Sequence, residues 1–187
     1  FKTAEYISPK HPDKMCDRIS DAILDYCLSN DKYSRVAIET MGGHNKVYIT
    51  GEISCNFNLD YEKIKEIVFR ICNIKEVYIN IDKQSSYISQ GVDTGGAGDQ
   101  GITNGYACRD NNELIPQEIY LARNLCKFIY EKYPYDGKTQ ITINENKEVV
   151  SLVCSFQNAK KEELKELENK WLINKKVSNI LEIFLNP

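Results

Sequence analysis

The chain has 187 residues, of which 42% are hydrophobic and 27% charged, and its formal net charge is −3. This length can bury a real core, as one domain or as two small ones. The slight acidity, without any cluster of Lys and Arg, argues against a nucleic-acid-binding surface. No apolar run approaches the ~20 residues of a membrane span, and the first residues lack a signal peptide's apolar stretch. We therefore expect neither a nucleic acid nor a membrane among its partners.

The cysteines indicate the compartment. There are seven of them, an odd number, and none belongs to a CxxC pair. This spacing argues against the common zinc and redox motifs and fits a reducing cytosol, so we predict a cytoplasmic protein.

The first half of the chain predicts a helix, a β-hairpin, a second helix and a strand. Residues 14–29 carry apolar side chains at helical spacing. Two β-rich runs, residues 34–41 and 46–55, are joined by turn residues, which predicts a hairpin. Asp60 is the predicted N-cap of the second helix, and the alternation in residues 77–81 predicts a strand.

The second half predicts the same order. Pro116 opens a helix, residues 139–143 and 148–156 form a hairpin, residues 160–181 are helical, and residues 183–185 begin a strand. We therefore predict an α+β fold of two similar α-β-β-α-β units, each a sheet with helices on one face. One mixed sheet without internal symmetry is the alternative.

A long polar stretch, residues 84–101, lies between the predicted units and carries five of the ten glycines. A loop of this kind inside a compact domain is a lid, a binding loop or a linker. Residues 96–101 match GxGxxG formally. They have neither the preceding strand nor the following helix that a dinucleotide site requires, so we predict no such site. The predicted organisation is an N-terminal α+β domain (1–83), a glycine-rich lid (84–101) and a central α+β domain (102–187).

Several polar residues are candidates for chemistry. His11, Asp13 and Lys14 stand at the entry to the first helix, where they suit binding of a phosphate and a metal. Their alternative is a solvated His11 and an Asp13 that only interacts with the helix dipole. Glu39 and Glu52 place one carboxylate in each arm of the first hairpin. Each is either a partnered, covered carboxylate or the outward residue of an alternating strand.

A further candidate is the segment 136–138, Asp-Gly-Lys, which is either a turn before a strand or a source of a phosphate-binding ammonium.

Together these motifs resemble one family, the S-adenosylmethionine synthetases, also called methionine adenosyltransferases. His-Pro-Asp-Lys at 11–14 is followed by Ile-Ser-Asp-Ala-Ile-Leu-Asp at 19–25. Residues 96–101 are similar to the family's Gly-Ala-Gly-Asp-Gln-Gly signature, and residues 136–140 to its Asp-x-Lys-(Ser/Thr)-Gln motif. The remaining matches are Arg-Val-Ala-Ile-Glu-Thr at 35–40, Gly-Glu-Ile at 51–53, Gln-Ser at 84–85, Gln-Gly-Val-Asp at 90–93 and Gly-Tyr-Ala at 105–107.

The resemblance implies a fold of three similar α+β domains related by pseudo-symmetry. It also implies a reaction in which the methionine sulfur attacks the 5′ carbon of ATP and displaces the whole triphosphate, which is then cleaved to phosphate and pyrophosphate. ATP and L-methionine would be the substrates, Mg²⁺ and K⁺ the cofactors, and a homodimer or a dimer of dimers the assembly.

The resemblance also implies a role for each matched residue. The implied catalytic set is His11, Asp99 and Lys138. His11, Asp136, Gly137 and Lys138 would contact ATP, Glu52 and Gln84 would contact methionine, Asp13 would bind Mg²⁺, and Glu39 would bind K⁺. Residues 84–94 would form a mobile lid that excludes water.

The chain departs from the family pattern in places. Pro9 and Lys10 stand where the family has Glu-Gly, and Ser86-Tyr87 where it usually has Pro-Asp. These changes favour the alternative of a non-catalytic paralogue that binds a nucleotide or a partner. The start without Met and the end at Pro187, where the family continues Thr-Gly-Arg-Phe, predict a fragment that lacks the C-terminal part and is inactive alone.

Overall fold

The computed structural model describes residues 1–178 and 180–187, with the side chains of all of these except Ser86, Ile88, Ser89 and Asp93. Its elements in chain order are β1 (Lys2–Ile7), α1 (Pro12–Asn30), β2 (Arg35–Gly43), β3 (Lys46–Ser54), α2 (Tyr61–Cys72), β4 (Glu76–Asp82), α3 (Ser86–Asp93), α4 (Gln117–Tyr130), β5 (Gly137–Ile143), β6 (Val149–Phe156), α5 (Lys161–Lys175) and β7 (Glu182–Leu185). They form two compact units: an N-terminal unit (residues 12–103) and a central unit (residues 1–11 and 104–187).

The N-terminal unit is a three-stranded sheet with two helices on one face. Strand β3 lies between β2, its antiparallel hairpin partner, and β4, which runs parallel to it. Side-chain alternation along β3 puts Val47, Ile49 and Ile53 against Ile23 of α1 and Ile64 of α2 in the core. Burial of each such side chain stabilises the unit by about 1.5–3 kcal/mol.

Two local features hold these elements in place. The Asp60 carboxylate accepts hydrogen bonds from the N–H groups of Glu62 and Lys63, which confirms Asp60 as the N-cap of α2. Gly51 adopts φ +140°, and a Cβ there would lie 2.0 Å from the carbonyl oxygen of Ala37. Only glycine therefore allows β3 to approach β2 this closely.

The central unit repeats the arrangement. Strand β6 lies between its antiparallel partner β5 and the parallel β7, and β1 adds an antiparallel strand on the far side of β5. Leu125 of α4 and Trp171 of α5 pack against Ile141 and Leu152 of the sheet. The orders α1-β2-β3-α2-β4 and α4-β5-β6-α5-β7 correspond, which confirms the predicted α+β fold of two similar units.

The first strand is grouped differently from the sequence-based boundaries. The sequence-based boundary of 1–83 puts residues 1–11 in the N-terminal domain. In the structure β1 pairs with β5, from Lys2 opposite Ile143 to Ile7 opposite Lys138, and so belongs to the central unit. A pairing between segments this distant in sequence leaves no local signal.

The expectation of an irregular stretch over residues 84–101 is corrected, because its first part is helix α3. Eight residues are too few to show helical periodicity. The helix ends in a Schellman motif, in which Gly95 (φ +86°) donates its N–H to the carbonyl of Val92 and Gly96 donates to Gly91. Two of the lid glycines therefore serve to end a helix.

Helix α5 is shorter than the predicted span of residues 160–181. It ends at Lys175, because Lys176 adopts the left-handed conformation (φ 55°) and the N–H of Val177 bonds the carbonyl of Leu172. None of the described helices is both long and apolar enough to cross a membrane.

Candidate functional site

One edge of the central sheet gathers the ends of all its strands. Strands β1, β6 and β7 end there, where β5 begins, since Ile7 pairs with Lys138 and Gly137 with Phe156. A cavity of about 410 Å³ lies at this edge. It is lined by His11, Asp136, Gly137, Lys138, Ser155, Phe156, Gln157, Asn186 and Pro187. We call it the edge cavity.

The edge cavity brings together the four residues predicted to contact ATP. His11 and Asp136 are half-buried, and Gly137 is buried between Asp136 and Lys138. An imidazole and an ammonium beside a strand start provide hydrogen-bond donors and positive charge, which an anionic group requires. The role of these residues in ATP binding stays a prediction.

His11 closes a β-turn that begins at Ser8, and its N–H donates to the carbonyl of Ser8 at 3.1 Å. Pro9 therefore occupies the second position of the turn, where its fixed φ is favourable. The departure from the family pattern at Pro9 is compatible with the local backbone.

Lys138 is held by an ion pair. Its Nζ lies 3.2 Å from both carboxylate oxygens of Glu5, on the neighbouring strand β1. Both side chains are nearly half exposed, 45% and 44%, so the pair adds little stability. An anion in the edge cavity would compete with Glu5 for the ammonium of Lys138.

Gly137 is required by packing beneath the edge cavity. A Cβ at this position would lie 2.3 Å from the aromatic ring of Phe156, its cross-strand partner. Any larger residue would displace that ring.

Asn186 was missed in the sequence and organises the opposite wall. Its side-chain oxygen accepts the N–H of Phe156 at 2.8 Å, and its amide donates to the carbonyls of Phe156 and Ala159 at 3.3 and 2.7 Å. The hairpin register could have indicated that the end of β6 lies beside Gly137. The contribution of Asn186 depends on the β6–β7 pairing, which has no local signal.

The N-terminal unit carries the residues predicted for methionine and K⁺. Glu39 and Glu52 lie on the sheet face that the helices leave uncovered, Glu39 exposed and Glu52 half-buried. Gln84 follows β4, and its side-chain oxygen accepts a hydrogen bond from Nε of Arg35 at 2.7 Å. Its backbone N–H donates to the Ser54 hydroxyl at 3.2 Å. These contacts fix the position of Gln84.

Asp13 and Asp99 are both exposed. Asp13 lies in the first turn of α1, and Asp99 accepts the N–H of Gln100 at 2.7 Å. Residues 96–101 follow helix α3 and are themselves irregular, as are residues 102–107 after them. Among the side chains that the structure describes, no group of three or more His, Cys, Asp or Glu residues is arranged to hold a metal.

A larger cavity, of about 520 Å³, also lies in the central unit and contains none of the predicted site residues. Lys147 on its wall donates to Asp110 at 2.5 Å, and this hydrogen bond lowers the pKa of the Asp110 carboxyl. Asp110 in turn accepts the N–H of Gln117 at the start of α4. The charges here stabilise a helix end.

Fold and edge cavity together define an α+β protein of two repeated units, with a polar pocket at one sheet edge that is lined by His11, Asp136 and Lys138. The family model described as the N-terminal domain of S-adenosylmethionine synthetase matches residues 1–94, and the model of its central domain matches residues 94–187. The chain belongs to the S-adenosylmethionine synthetase family.

Comparison with individual proteins indicates the same family. The chain is 38% identical over 196 residues to S-adenosylmethionine synthase 2 of Rhodospirillum rubrum, covering 88% of this chain and 50% of the relative. It is 33% identical over 223 residues to the S-adenosylmethionine synthase of Parvibaculum lavamentivorans, covering 99% and 57%. A solved structure titled an unusual S-adenosylmethionine synthetase from Campylobacter jejuni superposes with a TM-score of 0.81 at 29% identity, covering 100% of this chain and 58% of that one. The chain thus spans about half the length of the curated relatives it matches.

Proposed function

We propose that this chain takes part in S-adenosylmethionine synthesis from ATP and L-methionine. In this reaction the methionine sulfur attacks the 5′ carbon of ATP, the C–O bond to the triphosphate breaks, and the triphosphate is then hydrolysed to phosphate and pyrophosphate. The observation that carries the proposal is the edge cavity, which brings His11 beside Asp136 and Lys138 in a chain of this family.

The edge cavity would bind the triphosphate of ATP. Lys138 would supply a fixed positive charge, and His11 would supply a hydrogen-bond donor near the leaving oxygen. The negative charge that develops on this oxygen as the C–O bond breaks would then be stabilised by groups already in place. Asp136 and the backbone at Gly137 would orient the nucleotide. No group of the chain needs to act as nucleophile, and catalysis would consist of alignment and charge stabilisation.

Other roles would fall to residues of the N-terminal unit. Glu52 and Gln84 would contact methionine, and Asp99 would lie near the sulfonium product and adenosine. The hydrogen bond from Arg35 supports the assignment of Gln84, because it holds the side chain in one orientation. Helix α3 would be part of the lid. The Schellman motif at its end joins the helix to the glycine-rich residues 95–101.

Mg²⁺ and K⁺ would be bound by Asp13 and Glu39. Mg²⁺ in nucleotide enzymes is held by one or two carboxylates together with the substrate phosphates. The single exposed carboxylate of Asp13 fits this requirement, because a preformed three-ligand cluster is unnecessary. Glu39 would contribute one oxygen ligand to K⁺.

The assembly would be a homodimer or a dimer of dimers. Met41, Tyr48 and Tyr78 are exposed on the uncovered face of the N-terminal sheet, where the two tyrosine rings stack at 4.9 Å, and this apolar surface supports self-association. The free thiols of the cysteines support a cytoplasmic location.

These 187 residues alone would provide only part of the site. The edge cavity offers the triphosphate His11 and Lys138, and each missing preorganised contact of this kind costs about 10²–10³ in rate. The test is an assay of S-adenosylmethionine formation from ATP and methionine with Mg²⁺ and K⁺, run on this chain and on any longer product of its reading frame. We expect product only from a longer protein; product from the chain alone would contradict the partial-site inference, and none from a longer protein would contradict the function. Pro9 fits its turn, so the departures that still favour a non-catalytic role are Lys10 and residues 86–87.

A further inference from the structure

Ser8 is completely buried at the edge of the central sheet. Its hydroxyl donates to the carbonyl of Tyr135 at 2.8 Å and accepts the N–H of Lys10 at 3.3 Å. Its backbone N–H donates to the carbonyl of Gly137 at 2.7 Å, and its own carbonyl accepts the N–H of His11 at 3.1 Å. One residue thus joins the turn that carries His11 to the segment 135–137.

This link lies where the sheet can no longer provide one. The pairing of β1 with β5 ends at Ile7 and Lys138. Beyond that pair the chain turns at Pro9 and leaves the sheet, so the contacts of Ser8 replace ladder hydrogen bonds for one more residue. Because no part of Ser8 is exposed, water does not compete for its hydroxyl.

We propose that Ser8 is a positioning residue of the edge cavity: it holds His11 on the wall formed by Asp136 and Lys138. The proposal rests on the proposed function, because it assigns Ser8 a purpose in binding the triphosphate. Ser8 itself does not line the cavity, and its effect reaches the ligand only through the position of His11.

The test compares Ser8→Ala with Thr139→Val. Both variants remove a buried hydroxyl that donates to a backbone carbonyl of the central unit, and Thr139 donates to Ala122 on the helix-covered face of the sheet. Thr139→Val is the control for general loss of stability. Amide hydrogen exchange at His11 reports the position of the turn without any ligand, and calorimetric titration with tripolyphosphate reports binding.

We expect Ser8→Ala to speed exchange of the His11 amide by about tenfold and to weaken tripolyphosphate binding by a similar factor, as for loss of two hydrogen bonds. Thr139→Val should lower the unfolding midpoint and change neither local measurement. Wild-type values of both measurements in Ser8→Ala overturn the proposal, and so does faster exchange with unchanged affinity, which would make Ser8 only structural. If the wild-type chain binds no tripolyphosphate, the proposed function of the edge cavity fails. In that case the purpose of Ser8 in anion binding is overturned too: faster exchange would show a purely structural hold on the His11 turn, and unchanged exchange would overturn the hold as well.

Discussion

Replacing Glu168 by methionine tests how much stability a carboxyl group in the core costs the central unit. Glu168 lies in α5 with 1% of its surface exposed, and its Oε1 atom is buried without a hydrogen-bond partner among the described residues. A buried polar group left unpaired costs about 1–3 kcal/mol. Methionine has a similar volume and adapts to the same space, so Glu168→Met should stabilise the unit by about this amount.

The effect of Glu168 on the stability of the central unit should depend on pH in a defined direction. Burial raises the pKa of Glu168, so the folded unit binds this proton more tightly than the unfolded chain. The stability from this group is therefore complete below the unfolded pKa and is lost as the pH rises through the raised folded pKa. Glu168→Met has no such loss, and its advantage should grow from about pH 4 toward neutrality.

Urea denaturation between acid and neutral pH measures both effects. Trp171, the only tryptophan of the chain, is buried one helical turn from Glu168 and reports unfolding of the central unit by its fluorescence. In a unit of about 100 residues the stabilisation should raise the melting temperature by roughly 5–15 °C. Glu166→Met, an exposed change in the same helix, should stay within about 0.5 kcal/mol of wild type. Destabilisation by Glu168→Met, or an equal gain at all pH values, would refute the reasoning.

Two further predictions concern charge and backbone in the central unit. Glu5→Gln should tighten tripolyphosphate binding, measured by calorimetry, by up to about fivefold, because it frees Lys138 from an exposed ion pair worth at most about 1 kcal/mol. The control Glu145→Gln makes the same charge change at an exposed turn and should have no effect. Weaker binding by Glu5→Gln would count against competition between Glu5 and the anion. Lys176→Gly should stabilise the unit by about 1 kcal/mol, since glycine carries no penalty at a left-handed position. Asn174→Gly, inside α5, should destabilise the unit by about 0.5–1 kcal/mol. Urea midpoints in the reverse order would show that α5 does not end in a left-handed residue at Lys176.

Elements with strong local signals were predictable from the sequence. The hairpins follow from β-rich runs joined by turn residues, and the first helices from helical spacing and a cap such as Asp60, each of which acts within a few residues. Helix α3 was missed because its eight residues complete few turns. Helix α5 was predicted too long because its stop is a left-handed lysine, Lys176, where glycine is the usual signal.

The residues of the candidate site also fall into those with a local sequence signal and those without one. The motif residues His11 and Lys138 could be found in sequence because each lies in a short recognisable segment. Their common cavity depends on the pairing of β1 with β5, and the holding contacts of Ser8 and Asn186 depend on tertiary packing. No local pattern specifies such pairings between distant segments.

The most direct test of the central claim is calorimetric titration of this chain with tripolyphosphate, comparing Lys138→Met with Lys147→Met. Both lysines belong to the central unit and both are ion-paired in the free chain, Lys138 with Glu5 and Lys147 with Asp110. Only Lys138 lines the edge cavity. Loss of a charge-assisted hydrogen bond should weaken binding at least about tenfold in Lys138→Met, and Lys147→Met should bind like wild type. Equal affinity in all three proteins, or an equal loss in both variants, would contradict a triphosphate site at this edge of the sheet.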